Sequence, residues 1–171
     1  MDSSGTETGF AAHGHDHGQC VADALATAEA VCARRNARLT HLRRRVFEML
    51  WAAHKPTRAY DLLDRLRHEH DGAAPPTVYR ALDFLLEHGL IHKLESLNAY
   101  IGCVQPDAPH RGQFLICDSC QSVAELDDPE IAKRVLAKAC DLGFAVRHQT
   151  IEVSGMCPDC SDAHDEQGRD A

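Results

Sequence analysis

Through most of the first hundred residues the apolar positions recur three and four apart, the spacing that gathers side chains on one face of a helix. Val21–Asn36 carries Leu25, Ala28, Val31 and Cys32 in that register. Thr40 suits the N-cap of a second helix, whose stripe is Leu42, Val46, Met49, Leu50 and Ala53. A break at His54-Lys55-Pro56-Thr57 precedes a third, with Leu62, Leu63 and Leu66 inward, ended by Asp71-Gly72. Pro75-Pro76 opens a fourth, Pro76 near its first position, with Val78, Leu82, Leu85 and Leu86 on the buried side and Gly89 as its stop. Leu90–Glu95 and Ala99–Cys103 then flank Ser96-Leu97-Asn98 as a hairpin would. Helices joined by short turns and followed by a two-stranded hairpin predict a winged helix-turn-helix, whose last helix lies in the DNA major groove.

A proline-bearing connector, Val104–Arg111, interrupts this pattern. Beyond it Gln113–Ile116 and Ser122–Leu126 read as strands, and Asp128-Pro129-Glu130 as a helix start. Ile131, Val135, Leu136, Ala139 and Leu142 give that helix an apolar face, Gly143 ends it, and Phe144–Val153 reads as a last strand. The expected fold class is α+β. A winged-helix DNA-binding domain spans 20–103, a hinge 104–112, and a small α/β domain 113–162. Disordered tails are expected at 1–19, bearing His13, His15 and His17, and at 163–171.

The 171 residues suit one large domain or two small ones, and 44% hydrophobic with 26% charged residues is a globular composition. No run approaches the roughly 18 apolar residues of a membrane span, and no basic-then-apolar leader opens the chain. A cytoplasmic protein is expected, with reduced thiols, so the eight cysteines read as metal ligands or core residues. The net charge of -8 argues against nucleic acid, but its distribution reverses that inference. Between Ala33 and Arg58 eight bases face Glu48 alone, whereas Val104–Ala171 holds thirteen acids and six bases. A basic first half suited to a polyanion is joined to an acidic second half.

Two Cys-x-x-Cys pairs, Cys117/Cys120 and Cys157/Cys160, have the knuckle spacing of a tetrahedral zinc site. The 36 residues between them hold a strand, helix and strand, so the ion would clip the second domain together. A thioredoxin-like redox centre needs one such pair at a helix start, not two distant ones. A deaminase needs a His-x-Glu ahead of its cysteines, and none precedes the second pair. No His-Glu-x-x-His or other catalytic constellation is present, so an enzyme is not expected.

Residues from about Thr27 to Cys160 resemble the ferric-uptake-regulator family of metal-sensing transcription repressors. The resemblance rests on Arg38-Leu39-Thr40, Ala59-Tyr60-Asp61-Leu62-Leu63, the run Thr77-Val78-Tyr79-Arg80-Ala81-Leu82-Asp83-Phe84-Leu85, and the paired knuckles. It implies a homodimer, an N-terminal winged helix and a C-terminal dimerisation domain. Pro75–Glu87 and His92–Cys103 look most like the family's zinc-uptake-regulating branch. Where iron sensors carry a His-His-Asp-His run, this chain has His110-Arg111-Gly112-Gln113-Phe114, and Gln149 stands where they place a further histidine. Both departures remove ligands that iron would want.

By the same resemblance, His92, Cys103, His110 and Glu125 form a regulatory site. Two imidazoles, a thiolate and a carboxylate suit zinc. Two zinc ions per chain are therefore expected, one structural and one regulatory. Tyr60, Thr77, Tyr79 and Arg80 match the family's DNA-facing positions, Arg80 being the expected base reader and Tyr79 alternatively a core aromatic. Arg43, Arg44, Lys55 and Lys93 would meet phosphates. Cys32 and Cys140 are expected in the core, and His41, His54, His68, His70 and His88 at the surface. A zinc-activated repressor of zinc-import genes, bound to double-stranded operator DNA, leads. An iron or peroxide sensor of the same family and a zinc-buffering protein or hydrolase stand behind it.

Overall fold

The computed structural model of the chain describes residues 17–53, 55–69, 74–106 and 112–167. They form two compact units, one within 17–106 and the other within 112–167. No helix among the described residues is long and apolar enough to cross a membrane.

The first unit runs α1 (His17–Arg34), α2 (His41–Ala53), α3 (Ala59–Glu69), α4 (Pro75–Glu87), β1 (Ile91–Leu94) and β2 (Ala99–Gly102). Its core takes Ala28 and Val31 from α1, Val46, Phe47 and Leu50 from α2, and Leu62 and Leu66 from α3. Val78, Leu82 and Leu85 from α4 and the following Leu90 and Ile91 complete it. Each large side chain buried this way contributes about 1.5–3 kcal/mol. Prolines fill the first two positions of α4, where a missing N–H costs nothing. Gly89, at φ +62°, lets Leu90 N–H bond Leu85 O and its own N–H bond Leu86 O, both at 2.9 Å, so the helix stops three residues short of the hairpin. β1 and β2 pair antiparallel from Ile91 opposite Gly102 to Leu94 opposite Ala99, turning at Asn98 (φ 46°). Two 2.9 Å backbone bonds between Thr57 and Tyr100 tie the hairpin to the segment entering α3.

The second unit runs β3 (Gln113–Cys117), β4 (Val123–Glu125), α5 (Pro129–Asp141), β5 (Ile151–Gly155) and α6 (Pro158–Gln167). The sheet order is β4-β3-β5, antiparallel between β3 and β4, parallel between β3 and β5. The parallel pair requires a crossover, and α5 supplies it. Asp128 caps α5 by accepting from Glu130 N–H at 2.8 Å and Ile131 N–H at 3.4 Å. The buried apolar set among the described residues is small: Phe114, Ile116, Cys117, Ala124, Ala132 and Cys157. The apolar stripe of α5 stays uncovered, as Ile131, Val135 and Leu142 are all exposed, and Phe144, Val153 and Met156 are exposed as well.

Four expectations need correction. The first helix begins at His17 and ends at Arg34, so residues 17–19 are helical rather than tail. There the Gln19 amide donates to Asp23 Oδ1 one turn on, at 2.7 Å, and Asn36 leaves helical space at φ 50°. The last strand is Ile151–Gly155, not Phe144–Val153, because β3 offers five residues to pair with and its register starts at Ile151. Residues 163–167 continue α6 instead of opening a disordered tail. Cys140 is exposed, because the α5 face predicted to be core has no cover in its own unit; Cys32 is buried. His41 and His68 are exposed and His88 half-buried. His13, His15, His54, His70 and His110 lie outside the described residues.

Candidate metal centres and nucleic-acid interface

The parallel register sets Cys117, the last residue of β3, opposite Gly155, two residues before Cys157. The chain after β3 folds back, with Asp118 N–H bonding Gly155 O at 2.8 Å and Gln121 at φ 59°, bringing Cys120 over the strand ends. Cys160 sits in the first turn of α6, its N–H bonded to Cys157 O at 3.1 Å. All four sulfurs lie within 4.8 Å of one another, and Cys120 Sγ is 3.7 Å from Cys157 Sγ. A tetrahedron with 2.3 Å metal–sulfur bonds has edges of about 3.8 Å, so the set fits one ion. Backbone N–H groups of Cys120 and Cys157 point at Cys117, the latter at 3.4 Å, and bring its thiol down to about 6. The Ser122 hydroxyl, 3.0 Å from Cys120 Sγ, lowers Cys120 too. Cys160 goes the other way: the Ser119 hydroxyl draws it down, but the neighbouring sulfurs of Cys157 and Cys120 push it up to about 12. One thiolate forms readily here, and a full set needs a cation's charge.

His92 stands on β1 opposite Ile101, and Cys103 follows β2, its N–H bonded to Leu90 O at 3.0 Å. Strand alternation puts both side chains on the same face as diagonal neighbours. The His92 ring nitrogen and Cys103 Sγ lie within 4.8 Å, with Cys103 buried and His92 half-buried. An imidazole beside a thiol is a borderline-soft donor pair of the kind zinc takes. In the second unit Glu125 ends β4, opposite Phe114 and half-buried.

On the other candidate surface, Tyr60 is 65% and Tyr79 51% exposed, so Tyr79 is not a core aromatic. Arg80 is exposed beside it, and Thr77 is half-buried in the first turn of α4. Arg80 forms no ion pair among the described residues, nor does the Lys55 ammonium. The remaining phosphate candidates are held within the chain. The Arg43 guanidinium lies 3.6 Å from the Phe84 ring centroid, Arg44 pairs with Glu29, and Lys93 Nζ is 2.7 Å from Glu95. Such exposed ion pairs contribute at most about 1 kcal/mol, so a phosphate can displace them.

Sequence reasoning missed two features. One is the pair of hydroxyls, Ser119 and Ser122, set against the sulfurs. The other is Trp51 against Gly102: a Cβ on that glycine would lie 2.5 Å from Trp51 Cε2 and Nε1. A glycine inside a strand, one residue before a candidate ligand, was the available signal.

The ferric uptake regulator family profile matches residues 34–154. The zinc uptake regulation protein of Escherichia coli K12 is 46% identical over 137 residues, covering 80% of each chain. That of Mycobacterium tuberculosis H37Rv is 32% identical over 105 residues, covering 60% of this chain and 78% of the relative. A solved zinc uptake regulator complexed with zinc and DNA superposes with a TM-score of 0.81 at 43% identity, covering 85% of this chain and 97% of that one. Profile, sequence and superposition agree, and the chain belongs to the ferric uptake regulator family.

Proposed function

We infer that this protein is a zinc-responsive transcriptional repressor that binds double-stranded operator DNA as a homodimer and controls zinc uptake genes from the cytoplasm. The observation that carries the zinc assignment is the imidazole–thiol pair of His92 and Cys103 on the hairpin of the helix-turn-helix unit. A sulfur ligand there favours zinc over iron. The likeness to the E. coli zinc uptake regulation protein supports the same reading.

Two zinc ions bind per chain. Cys117, Cys120, Cys157 and Cys160 hold the structural one; His92, Cys103, His110 and Glu125 hold the regulatory one. The regulatory set draws ligands from the DNA-binding domain (20–103), the connector (104–112) and the dimerisation domain (113–162). Binding this ion restricts how the domains can be arranged, and in a dimer that arrangement sets the separation of the two recognition helices. Operator half-sites have fixed helical spacing, so the ion selects the competent arrangement. The uncovered α5 face, with Ile131, Val135 and Leu142, is the surface a second copy would bury. Tyr60, Thr77, Tyr79 and Arg80 face the DNA.

Native mass spectrometry alongside operator binding tests this. Wild type should carry two zinc ions per chain, and Cys103→Ser one, with the fold retained and operator affinity lost. Operator affinity that is indifferent to zinc and to chelator would refute it.

A further inference from the structure

Trp51, the chain's single tryptophan, sits in the last turn of α2, its ring centroid 6.0 Å from that of Phe47. Its indole covers Gly102 so closely that a Cβ there would lie 2.5 Å from Cε2 and Nε1 and 3.0 Å from Cδ1. The φ of Gly102 is not in the left-handed region, so its backbone would accept other residues; the indole is what demands glycine. Nε1 is buried without a hydrogen-bond partner. Burying that N–H costs roughly 1–3 kcal/mol, so shape and not a polar bond holds the ring here.

Side chains alternate along a strand. Gly102 therefore turns toward the core side with Tyr100, while Cys103 turns to the opposite face with His92. The indole backs the strand end one residue from the sulfur. The same hairpin is pinned at its far side by the Thr57–Tyr100 bridge, and Thr57 leads into α3, which carries Tyr60. Between them, Trp51 and Thr57 fix both ends of β2 against the helices.

We propose that Trp51 is a positioning residue for the regulatory zinc: its indole, seated on Gly102, sets where the Cys103 sulfur stands relative to the His92 ring, and links occupancy of that pair to helix α2. The proposal rests on the assignment of His92 and Cys103 as zinc ligands. Residues behind a metal's ligands typically change affinity 10- to 100-fold when altered.

The test uses the full-length chain with its four-cysteine site loaded, and adds zinc against a competing chromophoric chelator. Gly102→Ala should weaken the second zinc by about 10- to 100-fold while leaving the first in place. Trp51→Leu should weaken it less, because the support is lost without a clash. Gly102→Ala/Trp51→Leu should recover to the level of Trp51→Leu, a rescue that general destabilisation does not produce. Zinc should also alter Trp51 emission in wild type with a stoichiometry of one per chain, and not in Cys103→Ser. Cobalt(II) at the second site should show a thiolate charge-transfer band that Gly102→Ala shifts. If wild type takes a second zinc and Gly102→Ala takes it equally well, with unaltered emission and cobalt spectrum, Trp51 has no positioning role. If wild type takes no second zinc, or Cys103→Ser changes nothing, the ligand assignment fails and the proposal falls with it. Should Gly102→Ala not fold, as circular dichroism will show, Trp51→Leu decides alone: undiminished affinity overturns the proposal.

Discussion

Removing the ion from the four-cysteine site should unfold the second unit and leave the first intact. Among the described residues, only Phe114 and Ile116 are large apolar side chains buried in the second unit, whereas the first buries more than a dozen. At about 1.5–3 kcal/mol each, those two supply on the order of 3–6 kcal/mol. A structural zinc contributes about 10–16 kcal/mol near neutral pH, against a total stability of about 5–15 kcal/mol for an ordinary domain. The loss is therefore as large as the whole margin. The structure also says where it is felt: Cys117 ends β3, and Cys157 and Cys160 join β5 to α6, so without the ion the parallel pair loses its closure. The assay is amide hydrogen exchange, resolved by peptide, on the full chain before and after stoichiometric zinc removal under reducing conditions. Peptides over β3 and β5 should lose their protection, while those over α2 and α4 keep theirs. Cys157→Ser should do the same without chelator. Protected β3 and β5 amides in a demonstrably zinc-free chain would refute the reasoning, since the small core would then suffice alone.

Arg80→Ala should cost about 1–3 kcal/mol of discrimination between operator and random duplex; equal losses on both, in fluorescence anisotropy, would remove its base-reading role. Lys55→Ala should instead weaken both duplexes alike and reduce the salt slope by about one. Asp128→Ala removes the acceptor for Glu130 N–H and Ile131 N–H, and should cost about 1 kcal/mol in the urea unfolding of zinc-loaded protein. Asp128→Asn should retain most of that, and an unchanged midpoint in Asp128→Ala would show the cap to be idle.

The helices of the first unit could be read from the sequence because local signals agree there. Pro75-Pro76 opens α4, Gly89 closes it, and the three-and-four spacing between them matches what is buried. The second unit was harder for a physical reason. Phe144–Val153 has strand-like composition, but how much of it pairs depends on β3, whose Gln113 pairs with Ile151 far along the chain, which only tertiary structure can specify. Cys140 misled in a related way: helical spacing identifies an apolar face but not what covers it, and none of the described residues of its own unit buries this one. The cysteine knuckles were readable from spacing alone. The hydroxyls of Ser119 and Ser122 and the seat of Trp51 on Gly102 were not, because each joins residues through packing and carries no periodicity.

The two proposed metal sites would need opposite properties, and their candidate residues divide accordingly. The four-cysteine set offers identical soft donors from one unit, with Cys117 held near 6 by two backbone N–H groups, so its ion competes well with protons and closes a tetrahedron with no free position. An ion held that way would stay bound when zinc falls and so could not report on zinc levels. A sensor must lose its ion when zinc falls. Among the described residues the hairpin of the first unit supplies His92 and Cys103, half a coordination shell; in the proposed sensor, full affinity would be reached only when His110 and Glu125 join. Affinity and domain arrangement then become one equilibrium. Moving it from 1:99 to 99:1 requires about 5.5 kcal/mol of differential binding, well within what completing a zinc shell provides. A complete four-ligand site within the first unit would bind more tightly and switch nothing, because its ion would have equal affinity for every arrangement of the domains.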